Sequence, residues 1–164
     1  MLINFLIVGK VGLLGALPGL EFVVPEQVRA EVRRPAQVQL LEQELQEGTV
    51  QALGGMVPDE FVTYGSLRET FGPGESACLA VAAARGWLVA CDERRGFPNR
   101  ARQLLGEGRL LTTPAVLVLA IRDGQLSVAE ADRIKARLET ARFKMPFGSF
   151  GDHPDVKLWR GVRR

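Results

Sequence analysis

The sequence predicts an α/β protein with a mainly parallel sheet. Short apolar runs alternate with longer segments whose apolar residues recur at helical spacing, and this alternation is typical of βα units. The chain has 164 residues, of which 46% are hydrophobic, so it can bury one sizeable core without a second domain. We therefore expect one domain over residues 1–150 and a basic C-terminal tail over residues 151–164.

Turn and capping residues separate the predicted elements. Pro25 suits the first position of a helix, Gly86 suits the C-terminal cap of a helix that opens near Glu75, and Ser127 with Glu130 forms a capping box. Apolar content predicts strands over residues 21–24, 49–53, 87–91 and 109–112. Helical spacing predicts helices over residues 26–34, 37–46, 61–71, 75–85, 99–105 and 127–142.

Composition favours a protein of the cytoplasm. Residues 2–8 are apolar, but no positively charged leader precedes them and Lys10 follows closely, so they do not match a signal peptide. The chain contains no run of about 18 apolar residues that would predict a membrane span. Cys78 and Cys91 do not form a CxxC pair, and their apolar surroundings suit small buried residues in a reducing compartment.

Two acidic residues stand where α/β proteins commonly bind ligands. Glu75 opens a helix after the turn at residues 72–74, and Asp92 follows an apolar strand. Ligands of open α/β proteins lie outside the carboxyl ends of parallel strands, where a strand-end Asp and a helix-start Glu can converge on a cation or a phosphate. The sequence therefore predicts the functional site at this edge of the sheet.

Four segments together resemble PIN-domain proteins, the fold of many small prokaryotic toxin ribonucleases and related nucleases. These segments are VVPEQVRAEV, GPGESACLAVAAARG, WLVACDERRG and LLTTPAVLVLAIRDGQLS. The resemblance implies a three-layer α/β/α domain that binds Mg²⁺ or Mn²⁺ and hydrolyses phosphodiester bonds, usually in RNA. By matching motif, it implies Glu31, Glu75 and Asp92 as the catalytic and metal-binding residues. It also implies a small antitoxin-like protein and a second copy of the chain as partners.

The N-terminal segment departs from the family pattern. In PIN domains a central strand ends in an Asp shortly before an apolar segment like residues 2–5, whereas only Met1 precedes that segment here. A missing central strand leaves backbone N–H and C=O groups of the neighbouring strands unpaired. Other residues of the chain must then form this strand, a partner must supply it, or the given sequence starts too late. We favour a late start, with the strand and its Asp encoded upstream. The alternative is that residues 2–8 form the strand, with Asn4 as its only polar residue.

Three adjacent carboxylates would require a cation. They repel one another unless a divalent ion compensates their charge, and hard oxygen ligands suit Mg²⁺ or Mn²⁺. Replacing Asp92 by Asn or Glu75 by Gln should then weaken Mn²⁺ binding and leave the fold intact. Each acid also has a structural interpretation: Glu31 as a solvated helix residue, Glu75 as a partner of the helix dipole, and Asp92 as a turn former.

Basic residues near the acidic motifs suit contacts with a nucleic acid. Arg94, Arg95 and Arg100 follow Asp92 and could hold a phosphate backbone, although they equally suit a solvated surface. A net charge of +2 leaves RNA binding open without requiring it. The tail combines an aromatic residue with basic ones: Trp159, Lys157, Arg160, Arg163 and Arg164.

Other chemistries have little support in the sequence. His153 is the only histidine, so the sequence gives little support for a Ser-His-Asp triad or a histidine-based zinc site. The hypothesis that competes with a ribonuclease is a non-catalytic PIN-like module that binds RNA or an antitoxin-like protein. The absent first Asp is the best support for this second hypothesis.

Overall fold

The computed structural model describes the backbone of residues 1–162 and the side chains of residues 1–158. The helices are α1 (Leu2–Val8), α2 (Gly12–Ala16), α3 (Glu26–Glu31), α4 (Pro35–Gln46), α5 (Pro58–Leu67), α6 (Pro73–Arg85), α7 (Phe97–Leu105), α8 (Thr113–Arg122), α9 (Val128–Thr140) and α10 (Pro154–Val162). The strands are β1 (Val23–Val24), β2 (Gln51–Ala52), β3 (Val89–Ala90) and β4 (Leu110–Leu111). The prediction of a mixed α/β chain is confirmed.

The four strands form two separate parallel pairs within residues 1–162. Val23 of β1 lies opposite Gln51 of β2, and Val89 of β3 lies opposite Leu110 of β4. Each strand falls inside its predicted segment but is only two residues long. Apolar content locates a strand, whereas its length depends on pairing, and each of these strands is paired on one side only.

Residues 2–8 form helix α1, so the alternative that they become a strand is wrong. Leu2, Phe5, Leu6 and Val8 are buried, and their spacing of three and four residues is that of one helix face. Gly9 ends the helix in the left-handed conformation, with φ 62°. The β-branched and aromatic content of this segment was misleading because the period of the apolar residues decides which face is buried.

Helix boundaries follow capping residues and prolines. α3 ends at Glu31, earlier than predicted, and Pro35 then begins α4. The residue before a proline is disfavoured in the α conformation, which explains why the helix does not continue to residue 34. The predicted capping box is confirmed: Ser127 Oγ accepts the Glu130 N–H at 3.2 Å, and the Glu130 carboxylate accepts the Ser127 N–H at 2.8 Å.

The two strand pairs contribute to two different hydrophobic cores, with Val24 of β1 in the larger one and Val89 of β3 in the smaller one. The larger core joins α1, α2, α4, α8 and α9 around fully buried side chains such as Phe5 and Leu117. The smaller core joins α5, α6, α7 and β3 around Leu79 and Phe97. Of the acids predicted for the site, Glu31 follows β1 through α3 and Asp92 follows β3, and these two strands belong to different cores, whereas Glu75 lies in the first turn of α6.

The C-terminal segment belongs to the domain. Phe150 and Val156 are buried in the larger core, and α10 packs on α8. The expected boundary at residue 150 therefore does not separate two structural units in the described chain. Arg163, Arg164 and the side chains of Trp159 and Arg160 lie outside the described residues. In the part of the chain that the structure describes, no helix has both the length and the apolar character needed to cross a membrane.

Candidate functional site

A cleft of about 760 Å³ lies between the two strand pairs. β1 and β3 both line it, and the start of α1 and residues of α6 from Gly74 to Ala82 contribute to its wall. We call it the inter-sheet cleft. The three acids predicted from the sequence, Glu31, Glu75 and Asp92, all line this cleft.

Glu31 and Glu75 bind the same turn from two sides. The Gly74 N–H donates to Glu31 Oε1 at 2.9 Å, and the Gly72 N–H donates to Glu75 Oε2 at 3.1 Å. A methyl carbon placed on Gly72 would lie 3.5 Å from Glu75 Oε2 and 4.0 Å from Glu31 Oε1. The two carboxylates therefore stand together at the N-terminus of α6, where the helix dipole favours negative charge.

Gly74 is required for the close approach of Glu31. A Cβ atom on Gly74 would lie 2.8 Å from both carboxylate oxygens of Glu31. The helix α3 can therefore place its last residue against the first turn of α6 only because position 74 has no side chain. The turn at residues 72–74 thus determines the position of Glu31 as well as that of Glu75.

Gly74→Ala should displace the Glu31 carboxylate and break its hydrogen bond to the residue 74 N–H. We expect the free energy of unfolding to fall by about 1–2 kcal/mol, measured by urea denaturation. Gly65→Ala is the matched control, because Gly65 lies in α5 and a Cβ atom there would meet nothing within 4 Å. It should be neutral or stabilising by up to about 1 kcal/mol. Equal effects of the two substitutions would contradict the close contact.

Asp92 lies in a separate hydrogen-bond network. The Thr113 N–H and hydroxyl donate to its two oxygens at 2.7 and 2.5 Å, and Asn4 Nδ2 donates at 2.9 Å. The Met1 amine lies 3.3 Å from Asp92 Oδ2. Asn4 Nδ2 also donates to Thr113 Oγ1 at 3.1 Å. Asp92 therefore joins the end of β3 to the starts of α1 and α8.

Sequence reasoning missed the partners of Asp92. Thr113 is completely buried and begins α8, directly after the turn that follows β4. The sequence signal that could have identified Thr113 was its position directly after the strand predicted over residues 109–112. Asn4 stands out in the sequence only as the polar residue of an apolar segment, whereas in the structure it donates to a carboxylate.

The arrangement of the three acids suits a cation in part. Among residues 1–158, no three His, Cys, Asp and Glu side chains are grouped so that they could hold a metal ion. Asp92 already faces four donor groups, three at Oδ2 and one at Oδ1, which use most of the acceptor capacity of its carboxylate. Glu31 and Glu75 fit better, because Mg²⁺ commonly uses one or two carboxylates and keeps several waters.

The predicted arginines lie on the surface outside the lining of the cleft. Arg94 and Arg95 are exposed in the loop after β3, where their N–H groups donate to Glu93 Oε1 at 2.7 Å each. The Arg94 guanidinium donates to the Lys144 carbonyl at 2.6 Å. Arg100 is half-buried on α7. The basic residue that does line the cleft is Arg109, which precedes β4 and was not singled out from the sequence.

The two cysteines belong to the apolar wall of the cleft. Burial raises the pKa of the Cys78 thiol to about 12 and that of the Cys91 thiol to about 11. Both thiols are therefore protonated near neutral pH and are poor nucleophiles and poor metal ligands. Their role is packing, as the sequence predicts.

Comparison with known proteins adds no family to these observations. No family model matches the chain, and neither a curated protein nor a solved structure matches it significantly. The function is therefore inferred from the geometry of the cleft and from the resemblance of the four sequence segments.

Proposed function

We propose that the inter-sheet cleft is the site of an Mg²⁺- or Mn²⁺-dependent ribonuclease of toxin or RNA-processing type. The observation that carries the proposal is the convergence of Glu31 and Glu75 on one turn, with Asp92 on the same cleft. The proposal includes a three-layer PIN-like arrangement of helices around the two parallel strand pairs. It also includes a cytoplasmic location, RNA as substrate, and an antitoxin-like protein and a homodimer as assemblies.

The residues of the chain would hold and orient a cation rather than perform covalent chemistry. Each glutamate uses one oxygen for a backbone N–H, and this hydrogen bond positions its second oxygen for a ligand. A divalent cation held by Glu31 and Glu75 would supply Lewis-acid chemistry toward a phosphate and a water. Arg94 and Arg95 are exposed beyond Asp92 and suit the RNA backbone, and Arg100 on the neighbouring helix suits the same role.

A non-catalytic module that binds RNA or an antitoxin-like protein is the second candidate. The specific observation that favours it is the network around Asp92, whose oxygens already accept hydrogen bonds from Thr113 and Asn4. In such a module the acids would be structural. Glu75 would cap α6, Glu31 would join α3 to α6, and Asp92 would join β3 to α8.

Thermal unfolding with and without Mn²⁺ separates the two candidates. If the cleft binds the ion, Mn²⁺ at about a hundred times its Kd should add about 2.7 kcal/mol of stability by mass action. Glu31→Gln and Glu75→Gln should each weaken Mn²⁺ binding at least tenfold, since each removes a charged ligand. Glu69→Gln, at an exposed position outside the cleft, should leave the Mn²⁺ response unchanged.

RNA cleavage is measured on the same four proteins. Mn²⁺-dependent cleavage that is lost in Glu31→Gln and Glu75→Gln but kept in Glu69→Gln would support the ribonuclease. An equal Mn²⁺ response in all four proteins would contradict it. RNA binding without cleavage would then favour the non-catalytic module.

A further inference from the structure

The inter-sheet cleft is bordered by strand edges on both sides. Within residues 1–162, β1 pairs only with β2, and β3 pairs only with β4. Both β1 and β3 nevertheless line the cleft. Each therefore has a second edge on the side of the cleft that no described strand covers.

Hydrogen bonds show which backbone groups belong to these free edges. The Gln51 N–H donates to the Phe22 carbonyl at 2.8 Å, and the Leu53 N–H donates to the Val24 carbonyl at 3.0 Å. Because consecutive residues of a strand direct their N–H and C=O groups to alternate sides, Val23 directs its own groups away from β2. Val23 lines the cleft.

The same alternation applies to β3. The Val89 N–H donates to the Arg109 carbonyl and the Cys91 N–H donates to the Leu111 carbonyl, both at 2.9 Å. Ala90 lies between Val89 and Cys91, so its N–H and C=O point away from β4. Ala90 also lines the cleft, which therefore has donors and acceptors of a parallel ladder on two sides.

Both free edges have the same direction. Glu31 follows β1 through α3 and contacts Gly74 at the start of α6. α6 ends at Arg85 just before β3, so it runs back along β3 and its start lies near the carboxyl end of that strand. The carboxyl ends of β1 and β3 are therefore at the same edge of the cleft.

The size and the wall of the cleft suit a short strand. A residue in a packed sheet occupies roughly 160 Å³, from a rise of about 3.3 Å, a strand spacing of about 4.8 Å and a layer spacing of about 10 Å. A cleft of about 760 Å³ thus holds about five residues, the common length of a strand. Apolar residues contribute to its lining: Leu14, Val28, Val50, Val81 and Leu111.

We infer that the inter-sheet cleft binds an extended apolar peptide segment of about five residues, which pairs with Val23 on one side and Ala90 on the other. The segment joins the two strand pairs into one five-stranded sheet with the order β2, β1, segment, β3, β4. Unpaired backbone groups on the two strand edges that border the cleft select a polypeptide over a lipid or a small apolar molecule, because only a polypeptide satisfies both ladders. This inference does not depend on the metal site.

Ladder pairing can be tested with two synthetic peptides. The first is acetyl-Lys-Val-Ile-Val-Ile-Val-Lys-amide. The second has the same sequence, with N-methyl groups on every other residue of its Val-Ile-Val-Ile-Val core. N-methylation keeps the side chains but removes backbone N–H groups that would donate to a neighbouring strand. Trp87 lines the cleft and is 40% exposed, so its fluorescence in a Trp159→Phe background reports binding. The first peptide should bind and raise the melting temperature, and the N-methylated peptide should bind at least tenfold more weakly.

A matched pair of proline substitutions locates the binding edge. Ala90→Pro removes the N–H on the cleft side of β3 while keeping the Val89 and Cys91 hydrogen bonds to the neighbouring strand. Ala52→Pro makes the same change on the exposed outer edge of β2, which does not line the cleft. We expect Ala90→Pro to weaken peptide binding at least tenfold and Ala52→Pro to leave it within twofold.

Amide hydrogen exchange gives a second measurement that does not depend on folding of the proline variants. Binding of the first peptide should slow exchange at Val23 and Ala90. Failure of that peptide to bind, equal binding of the N-methylated peptide, or unchanged exchange at both amides would overturn the inference. A free chain that is already a dimer with both amides protected would also overturn it, since the cleft would then hold a second copy.

Discussion

Arg85→Met should lower the free energy of unfolding by about 3 kcal/mol, because it leaves the buried carboxylate of Glu60 without its positively charged partner. Glu60 is completely buried, and Arg85 Nε donates to Glu60 Oε1 at 2.6 Å while Arg85 Nη2 donates to Oε2 at 3.1 Å. The same guanidinium lies 5.0 Å from the Trp87 ring centroid. Arg85 therefore joins α5, α6 and the segment before β3.

An exposed ion pair provides the control for this substitution. Arg102 and Glu107 form an ion pair whose side chains are 54% and 79% exposed. Arg102→Met should change the free energy of unfolding by less than about 0.5 kcal/mol, because solvent screens such pairs. Urea denaturation measures both variants. Equal changes would show that burial of Glu60 does not amplify the interaction.

The pH dependence of the same pair has a definite sign. The hydrogen bond from Arg85 lowers the pKa of Glu60 from its ordinary value of 4.5, and this effect exceeds the opposing effect of burial. A carboxyl group with a lowered pKa in the folded state stabilises the protein above its unfolded pKa, and this stabilisation is lost as pH falls through the folded pKa. Below pH 4.5 the wild-type protein should therefore lose more stability than Arg85→Met does.

Asp92→Asn should destabilise the fold by about 2 kcal/mol, in contrast to the expectation from sequence that the fold would be unaffected. The carboxylate accepts hydrogen bonds from the Thr113 N–H, the Thr113 hydroxyl and Asn4. An amide turns one acceptor oxygen into a donor, so a donor in this part-buried network is left unsatisfied. Thermal or urea unfolding measures the loss.

Asp123→Asn is the control for the network around Asp92. Asp123 is exposed and caps the C-terminus of α8, so its replacement should change stability by less than about 0.5 kcal/mol. If Asp92→Asn is equally neutral, the network does not support the fold. The structural role of Asp92 that favours the non-catalytic module would then lose its support.

Local signals in the sequence were sufficient to locate most elements. Pro25 and the pair Ser127 and Glu130 mark helix starts through local chemistry, and Gly86 marks a helix end through its left-handed conformation, φ 65°. These signals involve residues close together in the chain, so they act before tertiary contacts form. The same local signals placed Glu75 in the first turn of a helix and Asp92 after a strand.

The way in which the elements and acids combine depends on long-range packing. Residues 2–8 became a helix because one face of α1 is buried, and the strands stayed two residues long because each has a neighbour on one side only within the described chain. Glu31 reached Glu75 because Gly74, 43 positions away along the chain, has no side chain. Asp92 instead accepts hydrogen bonds from Thr113 and Asn4, which are distant from it in sequence. Such contacts between distant residues depend on the packing of whole helices, which the local sequence pattern does not contain.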